Sequence, residues 1–428
     1  MLEQLLRLAQ KARTDHAIKP LVNACRRLLS EHGQANVYDL ALQVIEGYRA
    51  LPPGRRETFF AALATGFGPV PDAVLSAATQ YAKAPTAEHL AALTAAVEPP
   101  RQELLRRVNR APGGTAMLLS MRNDLLALRK SNPELAAVDA DFLHLLSSWF
   151  NPGFLRLERV DWQSSAALLE KLIQHEAVHA IVGWEDLRRR VQTDRRCYAF
   201  FHPQLAGEPL IFVEVALVSD MADAIAPLIA AQPEAPLPAN AKTAVFYSIS
   251  NCQPGLRGVS LGNFLIKKVV DQLRLELPQL KTFCTLSPVP GLAHWLAKAL
   301  PAEGPWVGAR ARAVDWLAQQ HGTPTTESLE HMDKALQADF ASLCAHYLVH
   351  QSHAPLADPV ARFHLDNGAR LERIHFAADL SRKGLKQSFG LMVNYLYEVT
   401  ELEARNEQFA EKKVSHSSTV KRLLKPAA

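Results

Sequence analysis

The sequence predicts an α + α/β chain, in which an all-α N-terminal domain precedes an α/β domain. Apolar residues recur at helical spacing through residues 1–150, without clear β-branched runs. Beyond Asn151-Pro152-Gly153, strand-like runs alternate with a helical pattern, which is typical of an α/β domain. The 428 residues are 48% hydrophobic and 21% charged, enough for a packed core and about two to four domains. This composition excludes a disordered chain, a collagen-like repeat and a small disulfide scaffold.

The first domain, residues 1–150, is predicted as a set of short antiparallel helices. Leu21, Cys25 and Leu28 illustrate the helical spacing of its apolar side chains. Breakers such as Leu51-Pro52-Pro53-Gly54 and Ala111-Pro112-Gly113-Gly114 separate the helices. Because no residue pattern here indicates chemistry, we expect this domain to serve packing or oligomerisation.

The second domain is predicted to extend over residues 151–405. Its strands are expected in β-branched and aromatic runs at 196–201, 210–218, 244–250 and 282–287. A helix is expected at 263–275, so this helix and the strands on either side of it form a βαβ-type unit. Residues 291–355 return to a helical pattern, and the polar, basic stretch 406–428 is expected to be a flexible tail.

Charge and cysteine content restrict the partners and the compartment. Lys+Arg 47 against Asp+Glu 43 gives a net charge of +4, which is too small to indicate nucleic acid. The 5 cysteines are scattered without a CxxC pair, which favours a reducing compartment and argues against structural zinc or disulfides. No apolar run approaches the ~20 residues of a membrane span, and the N-terminus lacks a signal-peptide pattern. We therefore expect a cytoplasmic protein with no membrane and no nucleic-acid partner.

Residues His175 to His179 match the HExxH motif of zinc hydrolases, with Glu176 as the base. The extended form of the motif needs Gly and His where this chain has Val182 and Glu185. A surface helix carrying two histidines is therefore the favoured interpretation.

Two further clusters, one of histidines and one of arginines, are candidate binding sites. His346, His350 and His353 share a face of a predicted helix, but no acidic residue joins them, so a metal site is disfavoured. Arg188-Arg189-Arg190 and Arg195-Arg196 form the densest basic cluster, which is either a solvated face or a patch for a phosphorylated ligand.

The turn after the third predicted strand carries the pattern GxSxG, from Gly258 to Gly262. A hydrolase nucleophile elbow needs a strand that ends directly before the first glycine, but here the loop 251–257 intervenes. We favour an anion cradle, in which backbone N–H groups and a helix N-terminus bind phosphate oxygens. Its candidate residues are Gln253, Gly255, Arg257, Gly258, Ser260, Gly262, Asn263 and Lys267.

Long motifs then give the chain a family resemblance. They are Leu286-Ser287-Pro288-Val289-Pro290-Gly291, Phe363-His364-Leu365-Asp366-Asn367-Gly368-Ala369 and the strand entry around Phe201-His202-Pro203. Over most of its length the chain resembles the malonyl-CoA decarboxylases. The resemblance implies a catalytic domain with the acetyltransferase fold of the GNAT superfamily, a mixed sheet flanked by helices. It also implies a homotetramer formed largely through the helical domain, and a place in fatty acid metabolism.

The resemblance implies conversion of malonyl-CoA to acetyl-CoA and carbon dioxide without metal or organic cofactor. Its catalytic serine and histidine fall on Ser287 and His364, and its CoA pyrophosphate signature falls on residues 257–262. Ser260 stands where that signature has its first glycine and where animal members carry a glutamate with a catalytic role. Ser260 cannot perform carboxylate chemistry, so that role is either dispensable or taken by another acid.

Loss of carbon dioxide leaves a thioester enolate whose carbon needs a proton, and histidine suits this because its pKa of about 6.5 allows both protonation states. We expect His364 to supply the proton and Ser287 to bind the leaving carboxylate or orient the imidazole. Asn367 and Tyr395 are candidates for lining the pocket. The alternative function is a GNAT-type acyl-CoA acyltransferase, which needs an acceptor. The basic residues that hold the CoA 3′-phosphate stay open, with Arg188 to Arg190, Lys267 and Lys268 as candidates.

Overall fold

The computed structural model describes residues 18–233, 236–259, 261, 264–298 and 306–425. Contacts divide the chain into two units. The first comprises Met1–Leu155, His202–Glu208 and Gln253–Ser260. The second comprises Arg156–Phe201, Pro209–Cys252 and Leu261–Ala428. Two short segments of the predicted second domain therefore belong to the helical unit by their contacts.

Within the described residues, the regular structure of the first unit is helical, as predicted. Its helices are α1 (18–30), α2 (Gln34–Arg49), α3 (Pro53–Gly66), α4 (Pro71–Lys83), α5 (Ala87–Val97), α6 (Pro100–Asn109), α7 (Gly114–Leu128) and α8 (Ala136–Trp149). Proline begins α3, α4 and α6, because its fixed φ suits the first turn and its missing N–H is not needed there. Tyr48, Phe59 and Phe60 are fully buried against one another and form an aromatic centre for this unit.

Within the stretch Pro53–Lys83, an 18-residue window with a mean hydropathy of 1.3 is apolar enough to match a membrane span by length and composition. The expectation that no stretch approaches that length is therefore wrong for this segment. The stretch consists of α3 and α4, separated at residues 67–70, and α3 buries Phe59, Phe60 and Leu63 inside the unit. A break and a buried face are features of packed globular helices.

The second unit is built on an 8-stranded mixed sheet. Its strands are β1 (Arg156–Val160), β2 (Arg195–Phe201), β3 (Pro209–Val218), β4 (Thr243–Asn251), β5 (Thr282–Thr285), β6 (Ser287–Pro288), β7 (Arg370–His375) and β8 (Met392–Leu396). The order is β1-β2-β3-β4-β5-β8-β6, with β7 also paired to β8. Strands β1 to β4 are antiparallel, β4 and β5 are parallel, and β8 runs antiparallel to its neighbours. The predicted helical part followed by a mixed sheet flanked by helices is confirmed.

Helices cover this sheet. They are α9 (Ala166–His175), α10 (Trp184–Arg190), α11 (Ala226–Ile229), α12 (Phe264–Glu276), α13 (Leu292–Ala297), α14 (Val307–Gln319), α15 (Thr326–Glu330), α16 (Lys334–His350), α17 (Pro359–Asp366), α18 (Arg382–Ser388), α19 (Leu402–Ala410) and α20 (Ser418–Leu423). Strands β2, β3 and β4 are buried along almost their whole length, because helices pack on the sheet. Their apolar runs are the ones that the sequence predicted.

The C-terminal stretch differs from the prediction of a flexible tail over 406–428. As far as Lys425, where the described residues end, it forms most of α19 and all of α20. Val420 is fully buried, and the Ser342 hydroxyl donates to the carbonyl of Leu423 at 2.7 Å. Two of the basic side chains, Lys421 and Arg422, lie exposed on the packed helix α20, so their charge did not indicate disorder.

The sheet opens between β4 and β5, which positions the site. Parallel pairing runs from Thr243–Thr282 to Phe246–Thr285, and the amide of Leu286 then donates to the carbonyl of Phe246 at 3.0 Å. Beyond this point the chain turns away as β6, which pairs with β8. Strand β4 continues to Asn251, and within the described residues it has no parallel partner there. The single strand predicted at 282–287 is therefore two short strands with a bend between them.

Candidate active site

A cavity of about 290 Å³ opens in the second unit where β4 and β5 diverge. Most of its lining is apolar. The lining residues are Val178, Ile211, Phe246, Tyr247, Ser248, Ile249, Asn251, Ser287, Pro288, Pro359, Val360, Phe363 and His364. The structure thus brings together Ser287 and His364, which lie 77 residues apart in the sequence.

Ser287 and His364 contact each other directly. The Ser287 Oγ lies 3.1 Å from Nε2 of His364, and both side chains are buried. Ser287 is held by β6 at the bend after β5, and its hydroxyl donates to Oγ1 of Thr285 at 2.8 Å. This hydrogen bond joins the end of β5 to the start of β6 across the bend between them.

His364 lies in the last turn of α17, and Asp358 determines where that helix begins. The Asp358 carboxylate accepts the backbone N–H groups of Val360 and Ala361 at 3.0 and 2.9 Å, as an N-cap does. It also accepts the N–H of Gly291 at 2.8 Å, which ties α17 to the loop after β6. Burial raises the pKa of Asp358 to about 6 despite these hydrogen bonds. One carboxylate therefore fixes the helix of His364 against the strand of Ser287.

The other nitrogen of His364 meets a tyrosine. Nδ1 lies 2.7 Å from Oη of Tyr397, which is fully buried. Because the Ser287 hydroxyl donates to Thr285, the hydrogen-bond pattern assigns the imidazole proton to Nε2, and Tyr397 donates its proton to Nδ1. The result is a chain of donors from Tyr397 through His364 to Ser287.

Burial lowers the pKa of His364 to about 3, and its hydrogen-bond partners are hydroxyl groups, with no carboxylate among the described ones. Burial also raises the pKa of Tyr397 well above its ordinary value. The imidazole is therefore neutral near neutral pH. The expectation of a histidine with a pKa near 6.5 is wrong, because the surroundings of His364 exclude the water that stabilises an imidazolium.

The two predicted pocket residues lie beside His364 without lining the cavity. The ring of Tyr395 stacks on the imidazole at 4.7 Å, and within the described residues its buried hydroxyl has no hydrogen-bond partner. Asn367 caps the end of α17 and donates to the carbonyl of Phe363 at 2.6 Å. At the next position, Gly368 has a φ of +74°, and an added Cβ would lie 2.1 Å from the carbonyl oxygen of Leu402. Asn367 and Gly368 therefore shape the turn that ends the histidine helix.

Some residues of the predicted anion cradle lie outside the part of the chain that the structure describes. Ser260, Gly262 and Asn263 lie outside the described residues. Gly255 lies in the first unit, where an added Cβ would be 2.3 Å from the carbonyl oxygen of Leu119. Only glycine allows that close approach.

Like Gly255, four other cradle candidates lie within the described residues. Gln253 begins the same 3₁₀ turn, and Arg257 and Gly258 follow it, with Gly258 at a φ of +82°. Arg257 and Gly258 are both exposed. Lys267, in the second unit on α12, is half-exposed and lies 3.8 Å from a carboxylate oxygen of Glu403.

The HExxH residues do not form a zinc motif. Helix α9 ends at His175, and Glu176 has extended backbone, so the two histidines do not share a helix face. Glu176 is buried and accepts hydrogen bonds from the hydroxyls of Ser248 and Ser250 on β4. His179 is also buried, so the interpretation as a surface helix is wrong as well. Among the described residues there is no cluster of metal-ligating side chains.

Except for Arg188, the arginine cluster is buried, and its members pair with carboxylates of the same unit. Arg190 contacts Glu214 at 3.0 Å, and Arg189 contacts Asp194 at 2.7 Å. Arg188 is the exposed member and lies over the ring of Trp162 at 4.6 Å. The cluster is neither a solvated face nor a free patch for phosphate.

The predicted helix face of His346, His350 and His353 is not formed by all three histidines. His353 lies beyond the end of α16, and His346 stacks on Trp306 at 3.8 Å.

Sequence reasoning assigned no catalytic role to Thr285 or Tyr397, and it considered Glu176 only as the base of a zinc motif. A signal for Thr285 exists, since a hydroxyl two residues before Ser287 on the predicted strand 282–287 is expected to share its face. Tyr397 and Glu176 carried no such signal, because the register of β8 and the end of α9 decide where they point.

Comparison with known proteins supports the resemblance. The family model for the malonyl-CoA decarboxylase C-terminal domain matches residues 153–428, and that for the N-terminal domain matches residues 67–150. The mitochondrial malonyl-CoA decarboxylase of Anser anser anser is 37% identical over 387 residues, which cover 83% of this chain and 77% of the relative. That of Mus musculus is 40% identical over 329 residues, covering 72% and 67%.

Solved structures agree. The crystal structure of the malonyl-CoA decarboxylase from Rhodopseudomonas palustris superposes with a TM-score of 0.86 at 45% identity, over 94% of this chain and 98% of that chain. That from Agrobacterium vitis gives a TM-score of 0.84 at 43% identity, over 94% and 99%. The chain belongs to the malonyl-CoA decarboxylase family and is a carboxy-lyase.

Proposed function

We propose that this protein converts malonyl-CoA to acetyl-CoA and carbon dioxide in the cavity of Ser287 and His364. The observation that carries the proposal is the chain of donors from Tyr397 through the neutral His364 to Ser287. It ends at a cavity whose lining is mostly apolar. A buried, neutral proton donor at an apolar cavity suits a reaction that loses a charged carboxylate and gains one proton.

The first step breaks a carbon–carbon bond. The malonyl carboxylate leaves as carbon dioxide, and the bonding electron pair moves into the thioester to form an enolate. Apolar neighbours such as Phe246, Ile249 and Val360 exclude water from the carboxylate, which favours the charge-dispersed transition state. Strand β4 beyond Phe246 carries backbone groups without a parallel strand partner in the described structure. An N–H donor there would stabilise the enolate oxygen by about 2.7–4 kcal/mol.

The second step protonates the enolate carbon. Nε2 of His364 donates its proton, Nδ1 takes the phenolic proton of Tyr397, and solvent returns one proton in each turnover. Ser287, in contact with Nε2, holds the imidazole in the orientation that serves this transfer. A neutral imidazole is a sufficient acid here, because a thioester enolate carbon is a stronger base than the imidazolate that this transfer would leave, and the proton from Tyr397 neutralises that imidazolate.

The test is an assay with malonyl-CoA alone in deuterium oxide. The parent should form acetyl-CoA carrying one deuterium at the methyl carbon, together with carbon dioxide. His364→Asn keeps a polar group of similar size and should lose about 10²–10⁴-fold in kcat. An acyltransferase would not turn over malonyl-CoA without an acceptor, so absence of product in the parent would contradict the proposal.

The assembly and the compartment are proposals as well. The predicted homotetramer, formed through the helical unit, is tested by light scattering of the purified chain, where a dimer or monomer would contradict it. The cytoplasm remains the predicted compartment. The Anser and Mus relatives are named as mitochondrial, so fractionation of the source cells is the measurement that decides.

A further inference from the structure

We propose that an open cleft in the helical unit, lined by Arg129, Lys130 and Arg257, binds the 3′-phosphate of the coenzyme A moiety. The cleft has a volume of about 490 Å³ and lies between the end of α7, helix α8 and the turn at 257–258. That volume is within the usual range for ligand sites, about 300–1,000 Å³. The inference rests on the proposed function, because it takes malonyl-CoA as the ligand.

The cleft has an excess of positive charge. Its charged lining residues are Arg122, Arg129, Lys130, Arg257 and Asp139, which are four cations and one anion. The side chains of Arg122 and Asp139 are both almost fully buried, and the Asp139 carboxylate accepts Nε of Arg122 at 3.0 Å and Nη1 of Arg129 at 2.5 Å. The single carboxylate is therefore already shared between two arginines.

The remaining two cations face the cleft without a counter-charge. Lys130 and Arg257 are exposed, and no described carboxylate lies within ion-pair distance of either. The C-terminal end of α7 accounts for a cation near Arg129 or Lys130, because helix dipoles favour positive charge there. It does not account for Arg257, which comes from a separate segment of the chain.

The buried side chain of Arg122 holds the turn that carries Arg257 and Gly258 in place. Nη1 of Arg122 donates to the carbonyl of Gly255 at 2.6 Å, and Gly255 contacts the backbone of Leu119. Arg257 and Gly258 follow in the same turn, and the sequence places both in the pyrophosphate signature. Arg122 is thus a positioning residue, and the exposed cations Lys130 and Arg257 are the ones available for ligand.

The charges on coenzyme A indicate which of its phosphate groups the cleft binds. A phosphomonoester carries about −1.5 to −2 at neutral pH, whereas each phosphate of a pyrophosphate diester carries one charge. Coenzyme A has one phosphomonoester, the 3′-phosphate, so a site with two free cations beside a shared third matches it best. The cations considered from the sequence are less suitable, because Arg189 and Arg190 satisfy internal carboxylates and Lys267 lies beside Glu403.

The test compares the binding of coenzyme A and 3′-dephospho-coenzyme A by titration calorimetry, which does not require turnover. In the parent, removal of the 3′-phosphate should weaken binding about tenfold, the value of one charge-assisted contact. Lys130→Glu and Arg257→Ala should bind the two compounds with similar affinity. Lys83→Glu is the matched control, since Lys83 is an exposed lysine in the last turn of α4 and should keep the tenfold difference.

Two results would overturn the inference. The parent could bind both compounds equally, or Lys130→Glu and Arg257→Ala could keep the full difference. Steady-state kinetics with malonyl-CoA and its 3′-dephospho form add a second measurement, in which Lys130→Glu should raise KM for the former and leave kcat unchanged. If malonyl-CoA is not turned over at all, the proposed function fails, while the calorimetric difference still decides the phosphate site.

Discussion

Two cavities of this protein, that of Ser287 and His364 and that of Arg129, Lys130 and Arg257, are built on opposite principles. The cavity of Ser287 and His364 is mostly apolar, and its catalytic groups are buried and satisfied by one another. The cleft of Arg129, Lys130 and Arg257 is open, and no described carboxylate pairs with Lys130 or Arg257. Excluding water strengthens chemistry on a carboxylate, whereas an anion that must arrive and leave is best held by solvated charge. This difference supports our proposal that one region serves catalysis and the other serves affinity.

The sharpest way to break this division is to remove the catalytic pair. Ser287→Ala and His364→Asn should each lower kcat for malonyl-CoA by about 10²–10⁴-fold, and the double variant should lose little more because the two groups act as a unit. Affinity for coenzyme A, measured by calorimetry, should change little. Multiplicative losses in the double variant, or a large loss of CoA affinity, would contradict the division.

A second test concerns the wall of the catalytic cavity. Glu176 accepts the hydroxyls of Ser248 and Ser250 and the backbone N–H groups of Val178 and His179, at distances between 2.7 and 3.1 Å. Glu176→Ala leaves these donors unsatisfied, and the free energy of unfolding should fall by about 2–3 kcal/mol.

The matched control for that test is Glu170→Ala. Glu170 is an exposed residue of α9, and surface substitutions usually change stability by less than about 0.5 kcal/mol. Chemical denaturation measures both variants. An equal effect in the two would show that the buried network around Glu176 does not stabilise the cavity wall.

Raising the salt concentration should affect the cleft but not the cavity of Ser287 and His364, and this effect should be smaller than those of the substitutions above. Raising the salt concentration shortens the screening length from about 10 Å at 0.1 M to about 3 Å at 1 M. The exposed cations of the cleft should then lose attraction, and KM for malonyl-CoA should rise about fivefold over that range. The buried Ser287–His364 contact is shielded from ions, so kcat should stay constant. A fall in kcat with constant KM would reverse the assignment.

The smallest expected effect is that of pH on catalysis. Burial lowers the pKa of His364 to about 3, so the imidazole stays neutral between about pH 5 and pH 8. A fall in kcat/KM near pH 6 should come from Asp358, whose pKa burial raises to about 6, and should vanish in Asp358→Asn. An inflection near pH 6.5 that persists in Asp358→Asn would show that His364 titrates there.

The burial of His364 also makes the free energy of unfolding depend on pH. The unfolded chain protonates His364 at its ordinary pKa of 6.5, whereas the folded chain does so only at about 3. The unfolded state therefore binds more protons between these values, and the contribution of His364 to the free energy of unfolding falls as pH drops through this window. His364→Asn removes that dependence, which denaturation at two pH values would measure.

Residue patterns predicted a large part of the fold. The apolar runs of β2, β3 and β4 and the helical spacing of the first unit were visible because burial on both faces demands continuous apolar sequence. Strands β1 and β7 were not predicted, since each carries alternate charged side chains on partly exposed positions, Arg156–Val160 and Arg370–His375. The helical C-terminal stretch was missed for the same reason, because charge on an exposed face resembles charge in a flexible segment.

The sequence by itself determined the two-part organisation and the two motifs that carry Ser287 and His364, because periodicity and motif residues are local properties of the chain. Only the tertiary structure decided the state of those residues. The bend between β5 and β6 and the capping of α17 by Asp358 bring Ser287 to 3.1 Å from His364. Burial then makes the imidazole neutral. The tertiary structure also decided which cations can bind a ligand, because it pairs Arg190 with Glu214 and leaves Lys130 exposed. Desolvation and ion pairing depend on every neighbour that folding brings into contact, and those neighbours are distant in sequence.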